Sequence, residues 1–151
     1  MASGLDLTPF LFMFVAMKYF SSFCSLCLIT ILFVACSSSD NYKKAEDAEE
    51  AGREFIRASL DGNMKKAQFY LLNDSVNTML FERWKADSYN KLDPETRMNF
   101  KQANILPLKI EKINDSIFSY TYSNTFRDKD TTTVKIVRVN GEWLVDFKDI
   151  H

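Results

Sequence analysis

The stretch that decides the fold is Val139-Asn140-Gly141-Glu142-Trp143-Leu144-Val145-Asp146, near the carboxyl end of the 151-residue chain. Its Asn-Gly pair favours a type I′ turn, because both central positions of that turn need a positive φ. The residues on either side suit strands. Thr131–Val139 is rich in β-branched side chains, and every second residue from Trp143 to Phe147 is apolar. The stretch therefore predicts a β-hairpin.

Two more strands precede this hairpin, because apolar and polar residues alternate along both of them. Asn114-Asp115 separates the two strands, and the charged run Arg127–Asp130 predicts a turn before the hairpin. The apolar faces consist of Leu106, Leu108 and Ile110, then Phe118, Tyr120, Tyr122 and Phe126. Together with the hairpin, these strands predict a four-stranded antiparallel meander.

Upstream of the sheet the signals are helical. From Lys43 the apolar residues fall on or near one stripe, which contains Ala45, Ala48, Phe55, Ile56 and Leu60. Gly62 suits the left-handed position at the end of this helix. Start signals then follow at Asn63, Asn73-Asp74-Ser75 and Asp93-Pro94-Glu95. They predict three more helices, namely Met64–Leu72, one to about Asn90 with Val76, Leu80 and Trp84 at four-residue intervals, and one to about Ala103.

This order of elements predicts an α+β fold, with amino-terminal helices packed on one face of an antiparallel sheet. The amino-terminal third of the chain lies outside that plan. From Leu7 to Cys36 the only charged residue is Lys18, and all but two of the charged side chains follow Cys36. Met17-Lys18 and the apolar run Tyr19–Ala35 are typical of a secretory signal peptide, which would occupy residues 17–35.

The end of that run, Leu32-Phe33-Val34-Ala35-Cys36, resembles the lipobox of bacterial lipoproteins, with Phe33 where leucine is usual. The resemblance implies that the Cys36 thiol receives a diacylglycerol and that cleavage makes Cys36 the new amino terminus. Residues 36–42 would then be the lipidated cysteine and its serine-rich tether, and residues 43–151 a single α+β domain. Two or three acyl chains suffice for stable membrane attachment.

Residues 1–16 do not belong to such a signal, and we expect them to be an upstream extension before a start at Met17. The alternative is an uncleaved anchor, because Pro9–Ala35 is long enough to span a bilayer of about 30 Å. Cys24 and Cys27 form a C-x-x-C pair inside the segment predicted to be removed, so they receive no role.

Composition argues against several functions. The chain has 19 basic and 20 acidic side chains, and its formal charge of −1 gives no net attraction to nucleic acid. The only histidine is His151, the last residue. The chain therefore lacks the internal histidine that a catalytic triad or a histidine-rich zinc site would need. Glycine motifs that bind phosphates or dinucleotides do not occur. We therefore predict no catalytic residues, no metal and no cofactor.

Two parts of the domain resemble a known family. They are Ala48, Phe55, Leu60-Asp61-Gly62-Asn63, Ala67 and Tyr70 near its start, and Val139–Asp146 at its end. Across residues 45–149 the pattern is similar to that of the small nuclear-transport-factor-2-like (cystatin-like) lipoproteins, many of them domains of unknown function. The resemblance implies a cone in which the sheet wraps a long helix, with a pocket at the open end that is catalytic in some branches.

Six aromatic residues are candidates for the lining of that pocket: Phe55, Tyr70, Trp84, Tyr120, Tyr122 and Trp143. The other interpretation makes them core residues, with the tyrosine hydroxyls at the rim. Isomerase chemistry would need a carboxylate base beside them. No acid lies at an inward position of the predicted strands.

Three tripeptides resemble the acceptor of a bacterial O-glycosylation system: Asp74-Ser75-Val76, Asp115-Ser116-Ile117 and Asp130-Thr131-Thr132. Ser75, Ser116 and Thr131 are the candidate acceptors. Asp-Ser pairs also occur at caps and turns for backbone reasons alone.

The sequence thus predicts a lipid-anchored protein of the cell membrane or outer membrane, facing the periplasm or the surface. We expect it to be non-catalytic and to bind an envelope protein or a small apolar ligand. The alternatives are an isomerase or lyase that uses the cone pocket, and a purely structural lipoprotein.

Overall fold

The computed structural model describes residues 41–150 of the chain. The expected extension, the signal peptide, Cys36 and the tether up to Asp40 lie outside the described residues, as does His151. Between residues 41 and 150 no helix has both the length and the apolar character needed to cross a bilayer.

Within residues 41–150, four α-helices precede the sheet, and a side chain caps the start of each one. They are α1 (Ala48–Asp61), α2 (Met64–Phe69), α3 (Ser75–Asp87) and α4 (Pro94–Gln102). The caps are Asp47, Asn63, Asp74 and Asp93, whose side chains each accept a hydrogen bond from the backbone amide three residues further on. The predicted caps at Asn63, Asp74 and Asp93 are confirmed. The first helix begins at Ala48 rather than Lys43, because Asp47 caps it.

Helix α2 ends at Phe69, three residues before the predicted end. The helix ends early because the chain after Phe69 forms hydrogen bonds with β4. The backbone amide of Leu72 donates to the carbonyl of Val145, and the amide of Val145 donates to the carbonyl of Tyr70. These bonds place Leu71 in a parallel bridge with Val145 and draw the chain out of the helix. Helix α3 likewise ends before Asn90, and a short 3₁₀ helix, Tyr89–Lys91, follows it.

The sheet has four antiparallel strands in the order β1-β2-β3-β4, so the predicted meander and the α+β class are confirmed. The strands are β1 (Ile105–Asn114), β2 (Ile117–Asn124), β3 (Arg127–Val139) and β4 (Glu142–Asp146). Asn140 has φ 52° and Gly141 has φ 84°, as the predicted hairpin turn requires. A second 3₁₀ helix, Phe147–Asp149, follows β4.

The prediction of a turn at Arg127–Asp130 is wrong, because β3 begins at Arg127. The chain reverses two residues earlier. The side-chain oxygen of Asn124 accepts hydrogen bonds from the backbone amides of Phe126 and Arg127, at 3.1 and 3.0 Å, and so holds the turn. Phe126 therefore lies in this turn, where its ring meets the Phe100 ring edge-on, and not on the face of β2.

The core lies between α1 and the sheet, and α1 contacts all four strands. Gly52 permits the close approach, because a Cβ at this position would lie 2.8 Å from the Ile136 side chain and 3.2 Å from the Tyr120 ring. Opposite α1 the fully buried apolar residues of the strands are Tyr120, Val134, Ile136 and Val145.

Two apolar patterns of the sequence end up partly in solvent. Leu108 and Ile110 of β1 are 54% and 39% exposed. Val76 of α3 is 44% exposed, and this helix buries Asn77 and Phe81 instead. The four-residue recurrence thus predicted the helix but does not mark its buried side.

Candidate functional site

A pocket of about 320 Å³ lies beside the last turn of α1. It is bounded by the end of α3, the 3₁₀ helix, α4 and the two central strands. Its lining consists of Ser59, Leu60, Trp84, Ser88, Tyr89, Leu92, Phe100, Tyr122, Asn124, Arg127, Asp130 and Thr132. Cavities at this lower end of the range hold small organic ligands, typically against apolar and aromatic walls with a few polar groups.

Aromatic rings form the apolar wall. The Trp84 and Tyr89 ring centroids are 6.1 Å apart, and the Arg97 guanidinium lies 5.5 Å from the Tyr89 ring. Gly62 leaves the space that Tyr89 occupies: a Cβ at residue 62 would lie 2.0 Å from the Tyr89 hydroxyl oxygen. The left-handed turn that ends α1 (φ 73° at Gly62) therefore also positions a wall of the pocket.

Arg57 of α1 bonds to the end of α4, the helix that carries Phe100 to the pocket. The Arg57 guanidinium donates to the backbone carbonyls of Ala103, at 2.6 Å, and Lys101, at 3.2 Å, which are at the carboxyl end of α4. The same group pairs with Asp61 at 2.9 Å. A cation at a helix carboxyl terminus also interacts favourably with the helix dipole.

The polar side of the pocket comes from the β2–β3 turn and the strand that follows. Asn124 is 7% exposed, and both backbone amides described above use its side-chain oxygen. The Arg127 guanidinium lies 5.2 Å from the Phe100 ring and 5.8 Å from the Phe126 ring. Asp130 approaches the same guanidinium at 3.7 Å. This side thus presents hydrogen-bond donors from Asn124 and Arg127.

Tyr122 is the titratable group most deeply placed in the pocket. Burial raises the pKa of Tyr122 to about 12, and its contact with Thr132 offsets only part of that effect. The phenol therefore stays protonated at neutral pH, so it can donate a hydrogen bond but cannot serve as a base.

The pocket brings together two of the six predicted lining residues, Trp84 and Tyr122. Phe55 and Tyr120 are buried in the core instead. Tyr70 is also buried, and its hydroxyl donates to the carbonyl of Lys43 at 2.7 Å. Trp143 is half-buried and packs edge-on against Phe118, with the ring centroids 5.4 Å apart.

The pocket residues that sequence reasoning missed include Tyr89, Phe100, Asn124 and Arg127. Tyr89 and Phe100 lie on either side of the start signal at Asp93, where nothing indicates their direction. The one available signal was Asn124, because asparagine beside a chain reversal often bonds to backbone amides.

A more open groove of about 400 Å³ lies on the other side of Trp84, between α3 and the residues after β4. Lys148, which lines this groove, lies 3.2 Å from the carboxylate of Asp74. The same carboxylate accepts hydrogen bonds from the backbone and side chain of Asn77. These contacts, chiefly those from Asn77, lower the pKa of Asp74 to about 2.

The remaining predicted sites divide into two groups. Cys36, the predicted lipidation site, lies outside the described residues. The three candidate acceptors of a glycan, Ser75, Ser116 and Thr131, are all exposed. Ser75 opens α3, Ser116 lies between β1 and β2, and Thr131 lies within β3. Among residues 41–150 no three acidic, histidine or cysteine side chains cluster as metal ligands would.

The chain matches no protein-family model and no curated protein at a significant level of similarity.

Proposed function

We propose that this protein is a lipid-anchored component of the cell envelope whose domain binds a small apolar ligand without transforming it. The observation that carries the binding part is the pocket beside α1, with an aromatic wall and a polar side. The anchor rests on the apolar run that ends at Cys36 and the serines after it. The same anchor would place the domain at the cell membrane or the outer membrane.

The shape we propose for the domain is the cone of the nuclear-transport-factor-2-like lipoproteins. Two features support it. The long helix α1 contacts every strand of a four-stranded meander. The pocket lies where the last turn of α1 meets the central strands, as an opening of such a cone would.

A bound ligand is favoured over catalysis by the groups in the pocket. An isomerase or lyase needs a base whose pKa suits proton transfer. Tyr122 is protonated at neutral pH, and Asp130, the only acid of the lining, has a side chain that is 69% exposed. A purely structural role gives no reason for a pocket of about 320 Å³, which a ligand could occupy.

Glycosylation at Ser75, Ser116 and Thr131 remains part of the proposal, supported by their exposure. The intact mass of the protein from its native cells tests it. Mass increments that disappear in the Ser75→Ala, Ser116→Ala or Thr131→Ala chain support modification at that residue. A mass equal to the polypeptide with its lipid would contradict it.

Ligand binding can be tested with the full chain in phospholipid nanodiscs. The protein has two tryptophans, so a Trp143→Phe chain leaves Trp84 as the only indole. The probe is 4-iodobenzamide, a small neutral aromatic whose iodine quenches tryptophan at contact. We expect saturable quenching of Trp84 fluorescence.

The control variants share one position, Ser59, at the pocket wall. Ser59→Phe fills the pocket and should abolish saturable quenching, whereas Ser59→Ala leaves the space open and should retain it. Quenching that rises linearly with probe concentration and is equal in all three chains would refute ligand binding in this pocket.

A further inference from the structure

We propose that the pocket selects an amphiphile with an anionic head group, bound at Asn124 and Arg127, whose planar body packs against the aromatic wall. This inference rests on the proposed function and specifies the class of ligand. Its support is the distribution of hydrogen-bond donors on the polar side.

The first observation is a donor group, the side-chain nitrogen of Asn124, for which the described residues supply no acceptor. Asn124 is 7% exposed, and its side-chain oxygen is already occupied by two backbone amides. No acceptor for its side-chain nitrogen is present among residues 41–150, although Asn124 lines the pocket. A ligand acceptor that meets this nitrogen would add a hydrogen bond that the described residues do not supply.

The second observation is a half-exposed cation, Arg127, that lies against two aromatic rings. Two aromatic rings, Phe100 and Phe126, pack against the Arg127 guanidinium and restrict its orientation. Within the described part of the chain its only carboxylate neighbour is Asp130, at 3.7 Å, which is longer than a hydrogen bond. The guanidinium therefore keeps donors for a second partner. Its planar fork matches the two oxygens of a carboxylate.

Asp130 also lines the pocket, and its carboxylate could attract a cationic ligand instead. Its side chain is 69% exposed and therefore largely screened by water, whereas the side chain of Asn124 is buried and offers only a donor. The Arg127 side chain is 49% exposed, so one donor is on the buried side and the other is half-exposed, whereas the single acceptor is the most exposed of the three groups. Two donors against one screened acceptor favour an anion.

The test uses the Trp143→Phe chain in nanodiscs and three probes that differ in one group. They are 4-iodobenzoate, an anion, 4-iodobenzamide, which is neutral, and 4-iodobenzylamine, a cation. We expect the dissociation constant from Trp84 quenching to be about tenfold lower for the benzoate than for the amide, as charge-assisted hydrogen bonds are stronger than neutral ones. The amine should bind more weakly than either.

Variants of the two donors separate head-group recognition from general affinity. Arg127→Gln should raise the dissociation constant of the benzoate about tenfold and leave that of the amide nearly unchanged. Asn124→Asp keeps an oxygen for the turn but replaces the donor with a negative charge, so it should also reject the benzoate. Asp130→Asn should strengthen benzoate binding. Arg138→Gln is the matched control, because Arg138 is also an exposed arginine of β3 but does not line the pocket.

Each result decides between the claims. Equal binding of benzoate and amide, with no effect of Arg127→Gln, would overturn the inference and leave the proposed function standing. Tighter binding of the amine, reduced by Asp130→Asn, would overturn it in favour of a cation. Saturable quenching by none of the three probes would overturn both this inference and ligand binding.

Discussion

The side-chain oxygen of Asn77 accepts a hydrogen bond from the backbone amide of Phe147, 70 residues further along the chain, at 2.5 Å. Asn77 is completely buried, and its side-chain nitrogen donates to Asp74 at 2.8 Å. One amide therefore joins the first turn of α3 to the segment after β4. Phe147 uses this position to pack against Phe55 and Phe81, with ring centroids 6.2 and 5.6 Å apart.

Asn77→Ala should lower the free energy of unfolding by about 1–3 kcal/mol, because the buried amide of Phe147 loses its acceptor. Urea denaturation measures the effect. Asn73→Ala, at an exposed position four residues earlier, is the control and should change the midpoint little. Equal midpoints for both variants would show that the hydrogen bond contributes nothing to stability.

Gly62→Ala should destabilise the protein more than Gly141→Ala. Both glycines have a positive φ, which costs a residue with a Cβ about 1–2 kcal/mol. At residue 141 a Cβ meets nothing within 4 Å, whereas at residue 62 it collides with the Tyr89 hydroxyl. Displacement of Tyr89 should also weaken the saturable quenching of Trp84. If thermal unfolding shows equal losses for the two variants, Gly62 does not position the pocket wall.

Stability should fall in acid partly through Asp74. Its pKa is about 2 in the folded protein, below the ordinary value of 3.8, so the ionised form is favoured by folding. That contribution is present above about pH 5 and is lost as the pH falls towards about 2. Urea midpoints should therefore decline more steeply over this range for the wild type than for Asp74→Asn. The Asp128→Asn chain should follow the wild type, and parallel profiles for all three would exclude this role of Asp74.

The sequence was most informative where the signal is local. The caps at Asn63, Asp74 and Asp93 bond to amides only three residues away, so the residue type and its position suffice to predict them. The hairpin at Asn140-Gly141 depends equally on local backbone preference. Element order then leads to the α+β class.

The failures share a tertiary cause. Arg127–Asp130 suggested a turn because it is charged, but β3 extends beyond β4 and begins at Arg127, which pairs with Asn124 of β2 before a register shift. The inward side of α3 depends on Asn77, a polar residue that can be buried only because Phe147 supplies a donor. The sequence of α3 alone does not indicate that Asn77 bonds to the amide of Phe147.

The candidate pocket was predictable only in part for the same reason. Trp84 and Tyr122 were candidates because they are aromatic residues on predicted elements of the domain. Tyr89 reaches the pocket through the space above Gly62, a contact across 27 residues of sequence. Asn124 and Arg127 direct their donors to the pocket because they flank the β2–β3 turn. The sequence predicted that turn a few residues later, at Arg127–Asp130.

Whether Cys36 carries a diacylglycerol is decided by mass spectrometry of the full-length chain extracted from its native membranes. We expect a polypeptide that begins at Cys36, with the lipid mass on its first residue. The Cys36→Ser chain should carry no lipid mass, whereas Cys27→Ser should be processed as the wild type is. A membrane-extracted wild-type chain that retains residues 17–35, or that begins at Cys36 without added lipid, would show that the protein is not a lipoprotein.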